Sequence, residues 1–428
     1  MAKEEKIDLI LEDLVKKGSD KKEIEKLRSQ CIELLKLDCS YGDIFEKIED
    51  KVSWDSEDFL WDSNKLGDCY LQGISSFIYL GDEEYLNVLD GYRDQKQDDF
   101  ININTLFDIA SITKLFTLIL AYICETLGLD LNVPVKSLNP DYDLDDFTLN
   151  DLIRMCGEIA TDGRINDAKS VEEAYAILRS AHLVSNNRNE NKYTDIGAMI
   201  IAETLVKVLN STRAKNYDLN DWMREFIFKP LNMNNTTFNP KSTNITGCGN
   251  RLEVHDPKAR ALGGIAGHAG LFTNGEDLCK LANGLFKVYH NQKRPIELTK
   301  KHIYKMGEIT FPNAKQCNKG NLGLYVKHPD GFAKTFTPSI FSTGSFSHQG
   351  WTGSLATFDP NNQIHQSILV NAIYDTDNKN LIRNDKPIGF GGRFDQYLDQ
   401  FTTNTMLLYV AKEYYNRYIY NKSKEYIK

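Results

Sequence analysis

A serine stands three residues before a lysine in FDIASITKLFTLILAYI, residues 107–123. On a helix, positions i and i+3 share one face, so the Ser111 hydroxyl and the Lys114 amine can meet. A serine hydroxyl is a poor nucleophile until a neighbouring base takes its proton. Lys114 opens a long apolar run; a buried lysine there is expected to be paired, depressed in pKa by the apolar wall, or both, and to serve as that base or as the hydroxyl's hydrogen-bond partner. At a helix N-terminus, backbone N–H groups and the dipole also favour a developing negative charge. The spacing alone does not mark a site. Ser19 and Lys22 repeat it within a run of charges, where Ser19 reads as a plain helix cap. Ser111 differs in the apolar helix that follows it.

A serine nucleophile needs a further acid–base group. YTDIGAMIIAETL (193–205) places Tyr193 and Asp195 just before a predicted helix. A tyrosine near a lysine can relay the serine proton to a leaving group. The plainer reading makes Tyr193 a helix-entry aromatic and Asp195 its cap. A third element should offer a strand-edge N–H to an oxyanion. GSFSHQGWTGSLATFDP (344–360) supplies His348, Gln349 and Gly350 ahead of a strand-like run, and glycine lets a backbone approach a substrate closely. GHAG (267–270) is a second His-x-Gly. It precedes a loop-to-helix transition, so His348 is preferred as the site histidine.

These segments need elements to hold them. Residues 1–50 read as a helical extension of two short amphipathic helices, separated near KKGSDKKE. Apolar runs about a Gly-Asp turn in 73–94 signal a β-hairpin, and those about Pro-Asn-Asn in 353–375 signal another. Between them, TLNDLIRMC, SVEEAYAILRSAH, DIGAMIIAETLVKVL and LNDWMREFIFKPL carry helical spacing, and a last helix covers 395–418. The expectation is an α/β (α+β) domain over 55–420, with a sheet from 70–105 and 320–375 and a helical part at 115–300.

Composition narrows the partners. The 428 residues carry a net charge of −9 without a basic stripe, which argues against nucleic acid and anionic membranes. The apolar run Leu115–Cys124 is too short to span a bilayer, and the N-terminus lacks the apolar stretch of a signal peptide. Eight cysteines (31, 39, 69, 124, 156, 248, 279 and 317) lie scattered without CxxC pairing, the usage of free thiols in a reducing cytoplasm. The acidic DYDLDDF (141–147) has Asp146 and Leu152 where a calcium loop needs glycine and glutamate, so it reads as a solvated loop. LGGIAGHAG (262–270) lacks the lysine of a phosphate-binding loop, and the histidines are not spaced for metal. No cofactor and no metal are expected.

Taken in chain order, the motifs resemble those of the serine β-lactamase and penicillin-binding-protein superfamily, and the class C β-lactamase-like serine hydrolases within it. LFDIASITKLFT is similar to the family's nucleophile segment, and YTDIGAMIIAETL to its Tyr-x-Asn or Tyr-x-Asp segment. EFIFKPLNMNNTTFNP, VHDPKARALGGIAGHAGLFT and SHQGWTGSLATFDP are similar to its later blocks, so the resemblance spans 55–415. It implies an antiparallel sheet flanked by helices, with the site in the crevice beside a helical domain. It also implies Ser111 as acylated nucleophile, Lys114 as its base partner, and Tyr193 as proton shuttle. Asp195 takes a position where many members have asparagine. His348 to Gly350 replaces a Lys-Thr-Gly strand, and the N–H groups of Ser111 and Trp351 would form the oxyanion hole. A second register makes Trp351-Thr352-Gly353 the third motif.

Departures from the family pattern limit the substrate. His348 in place of lysine weakens the hold on a substrate carboxylate, so ester or amide hydrolysis is expected rather than efficient β-lactam hydrolysis. RMCGEIATDG (154–163) stands where relatives carry a His-Thr-Ser-Gly-like wall. The absent signal peptide argues against a D,D-peptidase of the cell wall. The expected function is a serine hydrolase acting on a small ester, amide or peptide through a Ser111 acyl-enzyme. An acyltransferase on the same site is the alternative, and a silent binding or scaffold protein a third reading. Residues 1–50 are a candidate surface for homo-oligomer formation, and the polar insertion 374–394 reads as a solvated loop rather than a lid.

Overall fold

In a computed structural model, the chain is described over residues 1–37, 39–65, 73–81, 85–93, 99–241, 244–246, 253–310, 320–327, 336–370, 382–383, 386–387 and 393–420, with 61–65, 382–383, 386–387 and 393–396 given by backbone alone. Strand β1 (Gly73–Tyr79) is buried at every position. The two-residue period of a strand sends Phe77 and Tyr79 to one face and Ile74 and Ile78 to the other. Both sets are apolar, so the sheet has to be covered on both sides, and two hydrophobic clusters do this.

The sheet adds β2 (Tyr85–Gly91) at one edge, with β9 (Ile364–Val370), β8 (Leu355–Asp359), β7 (Phe346–Gln349) and β6 (Tyr325–Val326) following in that order beyond β1. Every pairing is antiparallel, with Ile74 opposite Val370 and Ala356 opposite His348. Strands from both ends of the domain therefore share one sheet. The 73–94 and 353–375 hairpins form as β1–β2 and β8–β9, while residues 82–84 of the first turn lie outside the described residues.

On one face, Ile74, Ile78, Leu355 and Ile368 pack with helices from the two chain ends: α1 (Lys3–Lys16), α2 (Lys21–Lys36), α3 (Tyr41–Lys65) and, closing the layer, a helix at Arg393–Tyr414. Two helices were expected before residue 50, and three are present. The third starts at a reciprocal cap, in which Ser40 N–H donates to Asp43 (2.6 Å) and Asp43 N–H to Ser40 Oγ (3.2 Å). Ile44, Ile48 and Val52 then recur every four residues on its buried side. The turn between α1 and α2 docks on the segment leading into β7. Thr343 N–H donates to Lys17 O and Asp20 N–H to Ser339 O. A side chain at Gly18 (φ +90°) would collide with Thr343.

The other face carries Phe77, Tyr79, Ala356, Phe358 and Leu369 against the helical part of the molecule. At its centre is α4 (Thr113–Thr126), buried from Thr113 to Cys124. Beside it lies α5 (Asp195–Arg213). The short α6 (Pro257–Ala261) and α7 (Gly275–Tyr289) follow, making Arg393–Tyr414 helix α8. No helix among the described residues is long and apolar enough to cross a membrane. Cys31, Cys39, Cys124, Cys156 and Cys279 are free thiols. Cys69, Cys248 and Cys317 lie outside the described residues, as does most of the 374–394 insertion.

Because the N-terminal helices share a core with the sheet, Ile44→Ala is expected to cost about 2–4 kcal/mol of unfolding free energy, as for other large-to-small core changes. A urea melt reads this directly. A change near zero would mean that α3 does not belong to that core.

Candidate active site

The nucleophile turn is built on strand β3 (Leu106–Asp108), which pairs in parallel with β4 (Ile245–Thr246) and antiparallel with β5 (Phe272–Thr273). At its end the buried Asp108 carboxylate accepts Ala110 N–H (2.8 Å) and His255 N–H (2.6 Å). Ala110 is held at φ 43°, a left-handed conformation that costs a residue with a Cβ of order 1–3 kcal/mol. Ser111 follows in a 3-10 turn, Ala110–Ile112, ahead of α4 rather than on it. The i, i+3 contact expected from the spacing is made all the same: Lys114 Nζ lies 2.8 Å from Ser111 Oγ.

Lys114 is fully buried, and its ammonium is satisfied from several elements. It donates to Ser111 Oγ and to His268 O (3.1 Å), pairs with Asp195 Oδ1 (2.8 Å), and hydrogen-bonds Tyr193. The Tyr193 ring centre is 5.0 Å from Nζ. Two of these partners reach the lysine by close backbone packing. A Cβ at Gly267 would collide with Ala198 and Ala202 of α5, so glycine lets the 262–270 loop press on that helix. Thr117 Oγ1 then donates to Gly267 O (2.7 Å), leaving the next carbonyl, of His268, for Lys114. On α5, Thr194 supplies the cap by accepting Ile196 N–H. Asp195 is therefore not the cap that the plainer reading made it, and its carboxylate turns to the lysine.

The expected depression of the Lys114 pKa is reversed. Burial does pull it down, but the Asp195 carboxylate and Tyr193 outweigh burial and raise it above the ordinary lysine value. Burial likewise pushes Asp195 up, and Lys114, His268 and Lys258 together hold it far below the usual carboxylate range. Lys114 is thus an ammonium paired with a carboxylate, not a neutral amine.

The third motif borders this group. His348 and Gln349 lie in β7, and Trp351, Thr352 and Gly353 lie in the turn after it. His348 is buried, with Nδ1 2.8 Å from Gln349 O and Nε2 3.2 Å from Leu322 O. It meets Tyr193 across Gly323, where an added Cβ would strike the tyrosine ring and sit 3.6 Å from His348 Nε2. A side chain at Gly350 would collide with Ile109 O, so the end of β7 rests on the nucleophile turn. Thr352 Oγ1 fastens the same junction by donating to Asp108 O (2.7 Å). Trp351 is 54% exposed and Tyr193 40% exposed, so this side is open to solvent.

Sequence reasoning passed over Asp108, Asp256 and Lys258. Asp256 caps α6 by accepting Ala259 N–H, and its Oδ1 lies 2.9 Å from His268 Nε2. Burial would raise the Asp256 carboxyl, but His268 holds it down at about 2. Lys258 Nζ is 2.5 Å from Asp195 Oδ2. The legible signal was Asp-Pro-Lys, a helix cap followed by proline at the first helical position. Asp195, Asp256 and His268 have ligand atoms within 4.8 Å of one another. Both Asp195 oxygens already face ammonium groups, however, so the cluster is a charge network and a poor cradle for a further cation.

The Asp108 carboxyl is pushed up to about 6 by burial, against the His255 and Ala110 N–H groups that lower it. Its folded value thus lies above the ordinary 3.8, so its contribution to stability is complete below 3.8 and is lost as pH rises through about 6. Asp108→Asn leaves one N–H without an acceptor, a loss of about 1–3 kcal/mol, which at neutral pH is offset by removal of the buried charge. It should also remove that part of the slope of stability against pH. Denaturation across this range checks both, and a slope equal to wild type would contradict the assignment.

The sequence profile of the Beta-lactamase family matches residues 64–387. A putative D-alanyl-D-alanine carboxypeptidase of Salmonella gallinarum is 24% identical over 313 residues, covering 62% of this chain and 69% of that protein. The protein of the same description from Salmonella agona has the same identity and coverage. A class C beta-lactamase structure superposes with a TM-score of 0.58 at 15% identity, covering 77% of this chain and 93% of that one. D-alanine carboxypeptidase AmpC from Burkholderia cenocepacia gives 0.60 at 15% identity, covering 83% and 99%. At such identities the solved structures speak for the fold, a mixed one with an antiparallel sheet.

Proposed function

The chain belongs to the Beta-lactamase family and is a serine hydrolase of that fold, and from that premise we propose that Ser111 is its nucleophile, acting on a small ester, amide or peptide. The observation that carries the reading is the 2.8 Å contact between Ser111 Oγ and a fully buried Lys114. In the first step Ser111 Oγ bonds to the substrate carbonyl carbon. Its proton passes to Tyr193 and on to the leaving amine or alcohol, whose bond to carbon breaks. The Lys114 ammonium donates to Oγ and to Tyr193, and so stabilises negative charge on either oxygen as the proton moves. The N–H groups of Ser111 and Trp351 receive the oxyanion. Water then attacks the acyl carbon; Tyr193 takes a proton from that water and passes it to Ser111 Oγ as the bond between Oγ and the acyl carbon breaks, which releases the acid and restores the serine.

In this reading Asp195 is the counter-ion that keeps Lys114 charged. His348, on β7, shapes the wall beside Tyr193, and Gly350, just past the end of that strand, lets the backbone close on the nucleophile turn, so we take His348 to Gly350 as the third motif in preference to Trp351 to Gly353. We take residues 1–50 as an extension on a catalytic unit of 55–420, one that is continuous with it through α3 and packed into the core of its sheet. The free thiols fit a reducing compartment such as the cytoplasm. The names of the relatives bring peptides ending in D-alanyl-D-alanine into the set of substrates to try, beside simple esters.

The test is intact-protein mass after incubation with an activated phosphonate and with a p-nitrophenyl ester. A single adduct mapping to Ser111 is expected, absent from Ser111→Ala, with ester turnover falling about 1000-fold or more in that variant. An adduct at another residue, or undiminished turnover in Ser111→Ala, would contradict the proposal. Product analysis with added alcohols and amines separates hydrolysis from acyl transfer. The present reading expects free acid as the main product.

A further inference from the structure

We propose that Lys258 is a positioning residue for this centre: by holding one oxygen of Asp195 it leaves the other to Lys114 and keeps the Lys114 ammonium directed at Ser111. The proposal rests on Ser111 and Lys114 acting as described above. Its basis is a continuous line of contacts. Ser111 Oγ is 2.8 Å from Lys114 Nζ, which is 2.8 Å from Asp195 Oδ1, while Asp195 Oδ2 is 2.5 Å from Lys258 Nζ. Lys258 touches neither Ser111 nor Lys114 in this line, so it acts through Asp195.

The arrangement follows from charge. An asparagine at position 195 would bring no charge beside the lysine. Aspartate brings a full negative charge into a site where its side chain is only 20% exposed, and a carboxylate there needs compensation at both oxygens. Lys114 provides one partner from α4 and Lys258 the other from α6. Among the described residues, further charged or titratable neighbours are Tyr193 beside Lys114, and the His268–Asp256 pair from the loop and the cap of α6. Arg260, also on α6, directs Nη1 of its guanidinium to Val254 O and His255 O rather than to Asp195. Without Lys258, Asp195 would turn wholly to Lys114. That would draw the ammonium away from Ser111 and bind its proton more tightly.

The direction of each change is therefore opposite for the two partners. Lys258 is a cation near a cation, so Lys258→Gln is expected to move the alkaline limb of the kcat/KM profile to higher pH by about one unit. It should also lower the plateau. Asp195→Asn removes the charge that favours the ammonium and is expected to move the same limb to lower pH. Lys258→Arg, which keeps the charge, should restore a limb close to wild type. In an Asp195→Asn background, Lys258→Gln should have no further effect.

The measurement is the pH profile of p-nitrophenyl ester hydrolysis for the wild type, the three single variants and the double variant. An alkaline limb unmoved in Lys258→Gln, or moved equally with and without Asp195, would overturn the proposal. If Lys258→Gln alone fails to fold, the double variant, which lacks the uncompensated charge, is expected to fold, and its failure would count against the proposal as well. Phosphonate labelling of wild-type Ser111 separates the two ideas. Labelling with unmoved limbs defeats only the role of Lys258, whereas no labelling defeats the hydrolase mechanism itself.

Discussion

A lysine ammonium that no water reaches has to be paired, and that requirement organises the centre of this molecule. Lys114 lies on a helix that is otherwise built for burial. Its partners come from a turn on its own N-terminal side, from the start of α5, and from the carbonyl of a glycine-rich loop. Each is delivered by a different local device: a strained alanine, a threonine cap, and a glycine where a side chain would not fit. None of these devices is chemical in itself. Together they leave the ammonium facing two partly exposed hydroxyls, those of Ser111 and Tyr193.

The wider fold serves the same end from two sides. The sheet is apolar on both faces, so it separates a layer made by the chain ends from the helical part that carries Lys114. Its strand β7 ends against the nucleophile turn, and the segment before β7 is gripped by the α1–α2 turn on the opposite layer. Asp108 ties the same turn to the segment that enters α6, from which Asp256 and Lys258 project. A single buried carboxylate thus connects the nucleophile to the charge network that supports it. Asp108 holds the backbone; Asp195 holds the charge.

Much of this was legible in the amino-acid sequence because it is local. The Ser111–Lys114 contact spans three residues, and the hairpins announce themselves by alternation and turn residues. Five family-like segments in order led to the fold. What could not be read is what depends on distant partners. Burial of Lys114 was foreseen, but the sign of its pKa shift rests on Asp195, far along the chain, which local reasoning treated as a cap. The third N-terminal helix was missed although Ser40 and Asp43 have the spacing of a cap, because the charges around Ile44 and Ile48 masked the periodicity. Lys258 was passed over because nothing in Asp-Pro-Lys distinguishes an active-site cation from a solvated one; only folding places it on Asp195.

The central claim is that Lys114 works as an ammonium held by Asp195 rather than as a neutral base. The most direct test is to follow the Lys114 side chain itself, by carbon NMR of protein labelled at the lysine ε position, with Lys114→Arg used to assign the signal. This resonance is expected to keep its ammonium position through neutral pH and to titrate only above the ordinary lysine value. A resonance that titrates near neutral pH would contradict it and make the lysine the base that takes the serine proton.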